Sequence, residues 1–423
     1  MKNYIIKLSP EIIIKSKAVR KKTIALLNHN ISNYLKLREI NFILTPKWDH
    51  IQLIIKDDLN SSLINNHLKK IFWIHNFYQV ESFNFETLDD ILGYFSNKYA
   101  HKLNNKTFRV TARRKQNELF TSPELARAVG WAILKVNTWL KVSLEYPEIT
   151  IEVEVDGNKC LIPSQKITWA WGFPIWAQGR VLSLISGWFD SGVSTYLTMK
   201  RGCRLDYLFF NLWWTAHSLW VKQVSHYIRS HYSQWHRAEF YEVNFDFLIR
   251  LLVLNAPEKL RSVLLKRYML KAASFVARKK HYALVKWDSL WQVSSQTLEN
   301  LHIIDKASEL LILRPLITYD KQEIINIAET IWTAKFAKSM PEYCGAISNK
   351  QTACGKMEEV LACEEKIDAE FFEILKTSVV RTSITDVLNN TEIWEIPEIA
   401  IPEEDEVIID IREESQKKQA IPF

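Results

Sequence analysis

Residues 185–194 read ISGWFDSGVS, directly after the apolar run Val181-Leu182-Ser183-Leu184. A buried strand that breaks into small polar residues and then a helix leaves backbone N–H groups and the positive end of the helix dipole facing one spot. That arrangement favours an anion. Ser186 and Gly187 before the turn, and Asp190, Ser191 and Gly192 after it, suit a phosphate; an ordinary strand-turn-helix rich in small polar residues has the same texture. The pattern is neither GxxxxGK[ST] nor GxGxxG, which disfavours a P-loop kinase or a dinucleotide fold. One residue conflicts with the reading. Trp188 sits where the backbone must come close to its ligand.

Working outward, the chain from about 177 to 330 alternates apolar β runs with helical patterns: RVLSLIS, GVSTYLTMKRG, CRLDYLFFNL, a helix near 218–229, EFYEVNF, a long helix from Pro257, and YALVKW. Such β–α alternation predicts an α/β unit with a mostly parallel, doubly wound sheet, whose ligands bind at the carboxyl ends of strands. Upstream, residues 1–60 combine a strand and turn in YIIKLSPEIIIKS, a basic helix over 18–37, and two strands in NFILTPKWDHIQLII, which predicts a small α+β unit. A second α+β unit is expected over 61–166, with helices near 61–72 and 87–103, a strand in KTFRVTARR, a helix from Glu124, and a hairpin turning at Asp156-Gly157.

With 423 residues the chain has room for about three domains, and 47% hydrophobic content suits packed cores. No apolar stretch of about 18 uncharged residues occurs, and Met1 to Lys7 is interrupted too soon for a signal peptide, so a cytoplasmic protein with no membrane partner is expected. Five cysteines at 160, 203, 344, 354 and 363, with no CxxC pair, exclude a disulfide scaffold and structural zinc. A net charge of +7 accommodates a nucleic-acid partner without requiring one. Glycine is abnormal: 10 residues are present, where ordinary usage of about 7% gives roughly thirty. Tryptophan, at 16, is abundant.

The loop resembles SGGxDS, the phosphate loop of PP-loop ATP pyrophosphatases, with Trp188 in place of the second glycine. Around it IIKLSPEIIIKS, GFPI, VLSLIS, FFNL, QVSSQTLENL, LILRPLITYDKQEII and MPEYCG occur in the order and approximate spacing of the tRNA 4-thiouridine synthetase (tRNA sulfurtransferase) family, from Met1 to about Glu365. The similarity resumes weakly at VIIDIREE. The resemblance implies an N-terminal ferredoxin-like domain (1–60), a THUMP RNA-binding domain (61–166), a PP-loop ATP pyrophosphatase domain (177–395), and the start of a rhodanese-like domain (404–423). It implies adenylation of uridine 8 of tRNA by ATP and displacement of AMP by sulfur, with a side role in sulfur supply for the thiazole of thiamine. A cysteine desulfurase or another persulfide donor is then a partner, and the sulfur carrier protein of thiamine synthesis a further one. VIIDIREESQKKQAIPF ends before any rhodanese cysteine, so sulfur is expected from a separate carrier.

By the same resemblance Leu184 and Ile185 line the nucleotide, and Ser186, Gly187 and Ser191 donate to the phosphates; Trp188 falls in this ATP-binding stretch at a family glycine position and, read literally, should block the phosphates. Asp190 holds magnesium or orients the reacting phosphate. Lys266 and Lys321 are counter-charges to pyrophosphate, where the bland reading of each is a solvated charge, and Trp287 and Gln296 fall on family contacts to ATP. Cys344, within MPEYCG, matches the cysteine that attacks the persulfide or resolves it through a disulfide. Cys160, Cys203, Cys354 and Cys363 keep the reading of small buried hydrophobes. Arg109, Arg113, Arg114 and Lys115 on one strand, and Lys15, Lys17, Arg20, Lys21 and Lys22 on the basic helix, are candidate tRNA phosphate contacts; as charge runs alone they are solvated faces.

Trp73, Trp131, Trp169, Trp171, Trp176, Trp188, Trp213, Trp214, Trp220, Trp287, Trp291 and Trp332 all stand where the family pattern has glycine. Glycine there supplies positive φ or close backbone approach, and tryptophan does neither. One residue type replacing another a dozen times predicts a single glycine codon decoded as tryptophan, as when UGA means glycine in the source. The rival is a decaying gene whose product is an inactive tRNA-binding remnant. Another PP-loop ATPase is a third reading, which leaves MPEYCG and the N-terminal units unexplained.

Overall fold

Alternating burial builds the first half of the molecule. The computed structural model describes residues 2–389 apart from 48, 73, 100–102, 104–105, 138, 165, 169–171, 213–214, 278–279 and 339–350. In chain order the first elements are β1 (Lys2–Leu8), α1 (Pro10–Ile13), α2 (Lys17–Lys36), β2 (Phe42–Pro46), β3 (His50–Ile55), α3 (Ser61–Leu68), β4 (Ile74–Asn84), α4 (Leu88–Tyr99), β5 (Thr107–Lys115), α5 (Ser122–Val136), β6 (Lys141–Val142), β7 (Ile149–Asp156), β8 (Lys159–Pro163) and β9 (Ile167–Thr168). Tyr4, Ile6 and Leu8 of β1 and Ile51, Leu53 and Ile55 of β3 are buried at every second position, against Leu27, Ile31, Tyr34 and Leu35 of α2. Ile151, Val153 and Val155 of β7 do the same beneath Leu125, Val129 and Ile133 of α5. That helix starts at a capping box in which Thr121 and Glu124 satisfy each other's backbone N–H groups. The expected hairpin turns at Gly157, whose φ of 59° is the left-handed value such a turn requires.

The two N-terminal units share one nine-stranded sheet, in the order β2-β3-β1-β4-β8-β7-β5-β6 with β9 also on β4. Antiparallel pairing of β1 with β4, for example Ile5 with Tyr78, carries the sheet across the boundary expected near residue 60.

The second half contains β10 (Arg180–Leu184), α6 (Phe189–Lys200), β11 (Arg204–Asn211), α7 (Thr215–Tyr232), β12 (Glu239–Asn244), α8 (Asp246–Asn255), α9 (Arg261–Ala277), β13 (Ala283–Val285), α10 (Leu298–Asp305), β14 (Leu311–Leu313), α11 (Lys321–Thr330), α12 (Ala334–Lys338), α13 (Met357–Ser378) and β15 (Val379–Ser383). The sheet order is β14-β13-β10-β11-β12-β15, parallel except for β15 at the edge. Alternate residues of β10 enter different cores: Leu182 and Leu184 pack with α8, α9 and α13, and Val181 and the following Ile185 with α6, α7 and α11. Burial on both faces is why this strand, from Val181 to Leu184, reads as apolar sequence interrupted only by Ser183, itself fully buried. The chain leaves β10 toward β11 on one side and returns to β13 on the other. The loop after β10 therefore opens at the switch point of the sheet, where ligands of such folds bind.

Asn30 of α2 ties the halves together, donating from Nδ2 to the Ile175 carbonyl (3.2 Å) and accepting from Trp235 Nε1 (3.2 Å). Being 2% exposed, it would leave a costly buried polar group without these partners.

Candidate active site

At the end of β10 the chain turns through Ser186 and Gly187, whose φ is 86°, into α6. Trp188 is the N-cap with φ −71°, a conformation open to any residue, and its side chain caps nothing. The first N–H groups of α6 therefore lack a side-chain acceptor, which is the electrostatic basis of an anion site. Ser186 Oγ donates to Ser191 Oγ (3.1 Å), and Ser191 Oγ donates to the Trp188 carbonyl (3.1 Å). Fully buried Ser194 and Thr195 donate to the Ser191 carbonyl, so small hydroxyls tie the helix start to itself. Asp190 is 8% exposed; Lys321 Nζ donates to its Oδ2 at 3.0 Å, while its Oδ1 is buried with no partner. Lys321 comes from the first turn of α11, 131 residues along the chain. His217, from the start of α7, places Nε2 2.8 Å from the Ser186 carbonyl. Burial pulls its basicity down, partly offset by that carbonyl. Sequence reading passed over this histidine, whose only signal is its place in the second β–α crossover.

Beside the loop, β13 is followed by Lys286-Trp287-Asp288. Asp288, 1% exposed, accepts on Oδ1 from Lys266 Nζ (3.2 Å) and Gln296 Nε2 (3.4 Å); Oδ2 meets Arg314 Nε (3.1 Å) and Lys286 Nζ (3.0 Å). Burial pushes the Asp288 carboxyl up, and the cations Lys286, Lys266 and Arg314 overcome it and hold the group ionised. Burial pulls the Lys286 ammonium down to about 8 against the opposing pull of Asp288. Trp287 packs between both hydrophobic cores. Thus Lys266, Trp287 and Gln296 gather at one strand end, next to the loop bearing Leu184 to Ser191. Lys286, Asp288 and Arg314 are polar residues that the sequence reading missed.

Cys344 and residues 404–423 lie outside the described residues. Cys160, Cys203 and Cys363 are buried, and burial pushes the Cys160 thiol up to about 12. Cys354 departs from expectation: it is exposed, in a turn where its N–H donates to Thr352 Oγ1. Arg113, Arg114 and Lys115 are exposed at the end of β5, whereas Arg109 is half-buried and donates to Thr150 Oγ1 and the Leu144 carbonyl.

The tryptophans divide by backbone. Trp73, Trp169, Trp171, Trp213 and Trp214 lie outside the described residues. Trp176, Trp291 and Trp332 have φ of 82°, 64° and 63°; Glu39 and Gln116 are the other non-glycine residues at positive φ among those described. Trp176 is third in a turn closed by Ala177 N–H to the Pro174 carbonyl (3.0 Å), the glycine position of a type II turn. Trp332 follows the C-cap Ile331 of α11, and the next N–H, of Thr333, returns to the Ala328 carbonyl (2.9 Å), the usual glycine position of a helix C-terminus. Trp131, Trp188, Trp220 and Trp287 have no such backbone.

Two family models match the chain: one described as thiamine biosynthesis protein (ThiI), over residues 176–369, and one described as THUMP domain, over residues 84–163. The tRNA sulfurtransferase of Proteus mirabilis (strain HI4320) is 39% identical over 423 residues, covering 99% of this chain and 87% of that protein. The tRNA sulfurtransferase of Escherichia coli O8 (strain IAI1) is 40% identical over 412 residues, covering 97% and 86%. Among solved structures, a 4-thiouridine synthetase–RNA complex with bound ATP superposes with a TM-score of 0.78 at 24% identity, covering 90% of this chain and 99% of that one. PH1313 from Pyrococcus horikoshii Ot3 gives 0.56 at 21% identity, covering 78% and 100%. At those identities the structural likeness speaks to the fold.

Proposed function

The chain belongs to the tRNA sulfurtransferase family, and from that premise we propose that it is an ATP-dependent enzyme that transfers sulfur to uridine 8 of tRNA, giving 4-thiouridine. The observation that carries the reading is the uncapped start of α6 at the sheet's switch point, with Asp190 and Lys321 joined across it. A uracil carbonyl oxygen is a poor leaving group. ATP converts it to an adenylate with loss of pyrophosphate, and a sulfur nucleophile then displaces AMP. Leu184 and Ile185 border the nucleotide, the turn from Ser186 to Ser191 receives its phosphates, and Lys266 and Lys321 balance the charge that develops on pyrophosphate. Asp190 fits a magnesium ion because its Oδ1 is buried and unpartnered. Among the described residues no group of three or more potential ligands gathers, so phosphate oxygens and water would complete the shell. Such an ion would neutralise phosphate charge.

Cys344 is assigned the sulfur step: its thiolate attacks the outer sulfur of a cysteine desulfurase persulfide, taking that sulfur and releasing the donor's thiol, or it attacks the inner sulfur once the donor's persulfide has displaced AMP, releasing 4-thiouridine and leaving a disulfide with the donor that a thiol reductant reopens. Sulfur supply to the carrier protein of thiamine synthesis follows the same chemistry. Domains at 1–60, 61–166 and 177–395 divide the work between tRNA and ATP. Arg109, Arg113, Arg114 and Lys115 take tRNA phosphates, recognising shape. Among the described residues no helix is long and apolar enough to cross a membrane. A cytoplasmic location is part of this reading.

We further infer that the active form carries glycine at the twelve tryptophan positions, since three of them hold a backbone that glycine favours. ATP-dependent 4-thiouridine formation on unmodified tRNA, with the chain as written beside its twelve-glycine form, tests both points. Activity confined to the glycine form supports them. Activity of neither, with tRNA binding retained, identifies a binding remnant.

A further inference from the structure

Gln296 is 4% exposed, and its amide has one satisfied end: Nε2 donates to Asp288 Oδ1, while Oε1 is buried without a partner. An ionised carboxylate only accepts hydrogen bonds, so the amide must turn its NH2 toward Asp288 and its carbonyl away. Asp288 has no freedom to change role, because Lys266, Lys286 and Arg314 surround it. The orientation of Gln296 is thereby fixed from behind, and what it lacks is a hydrogen-bond donor.

ATP at neutral pH has donors only on its nucleoside: the exocyclic amine of adenine and the ribose hydroxyls. Its phosphates accept. We propose that Gln296 Oε1 receives a hydrogen bond from the nucleoside end of ATP, and that Asp288 is a positioning residue that holds Gln296 in this acceptor orientation while anchoring Lys266. This rests on the reading that Gln296 and Lys266 contact ATP. It assigns them different parts of the molecule: Gln296 reads the nucleoside, and Lys266, whose ammonium shares the same Asp288 oxygen, serves charge. The arrangement makes discrimination possible, because a buried acceptor left unpaired penalises an analogue that lacks the donor.

The test is equilibrium binding by the twelve-glycine full chain, with ATP, purine riboside triphosphate, 2′-deoxy-ATP and 3′-deoxy-ATP as probes. Purine riboside triphosphate replaces the amine by hydrogen and gains no N1–H donor, and each deoxynucleotide removes one hydroxyl, so the arms separate the two donor sources. One analogue is expected to bind at least tenfold more weakly than ATP. Gln296→Met and the charge-balanced pair Asp288→Leu with Lys286→Met should both bring that ratio toward one, with urea unfolding reporting whether each variant folds. Exchange of a buried ion pair for apolar residues of similar volume is often tolerated; if the pair variant does not fold, Gln296→Met and Asp288→Glu, which keeps the acceptor and should preserve the ratio, decide the matter. Equal affinity for all four nucleotides in the parent overturns the proposal, as does a ratio that survives in the folded pair variant. Should both Gln296→Met and Lys266→Met leave ATP affinity unchanged, the placement of the nucleotide itself is wrong and this inference falls with it.

Discussion

Replacing Trp332 separately by glycine and by alanine isolates the backbone from the side chain. Both variants lose the same indole, 69% exposed, and differ only in what φ of 63° costs them. A Cβ in the left-handed region costs about 1–2 kcal/mol, and glycine gives back roughly 0.5–1 kcal/mol through its more disordered unfolded chain. Glycine should therefore be the more stable by about 0.5–1 kcal/mol. Trp220, inside α7 of the same unit, is the control: in a helix interior glycine is worse than alanine by about 1 kcal/mol. The difference between glycine and alanine must change sign between the two sites. At a urea slope of about 3 kcal/mol/M, the midpoints separate by roughly 0.2–0.3 M in opposite directions. Trp291, 77% exposed with φ of 64°, should behave like Trp332. If alanine equals or exceeds glycine at 332 and 291, the inference that these backbones were built for glycine is wrong.

Peptide mass spectrometry of the protein purified from its source should read glycine at the twelve positions and tryptophan at Trp48; tryptophan at all thirteen would refute misdecoding, as would mixed codons in the gene. Lys321→Met in the glycine form should lower tRNA-dependent pyrophosphate release by about 100-fold without loss of fold, because Asp190 then faces the phosphates without its ammonium; unchanged release would remove Lys321 from the site. His236 is buried and carries a pKa pulled down to about 3, mainly by burial and then by Arg204, His29 and Arg229. It is neutral when folded and takes up a proton on unfolding below about 6.5, so the chain as written should lose roughly 2 kcal/mol of stability between pH 7 and pH 5. His236→Gln should flatten that acid limb. Alanine at both Arg113 and Lys115 should weaken tRNA binding and reduce the slope of log affinity against log salt by about 1.8, or roughly 0.9 for each phosphate no longer neutralised; an unchanged slope would move the RNA elsewhere.

Sequence alone determined much of this protein. The run before Ser186 is apolar but for fully buried Ser183 because both faces of β10 are covered, and the β–α alternation around it predicted a doubly wound sheet with its phosphate turn at a strand end. Period-two burial in β1, β3 and β7 was equally legible, and so was the turn at Gly157. These features are local, set by which neighbours in the chain face a core. The tertiary structure decided how distant residues meet. Lys321 reaches Asp190 across 131 positions, and Asp288 collects Lys266, Gln296 and Arg314 from α9, the turn before α10 and the segment after β14. No spacing rule foretells such meetings, because each depends on which strand ends the crossovers bring side by side. The tryptophans show the same division. Their excess was visible in composition, but only the folded backbone, with its positive φ at 176, 291 and 332, distinguished the places where a Cβ is physically unwelcome from those where it is tolerated.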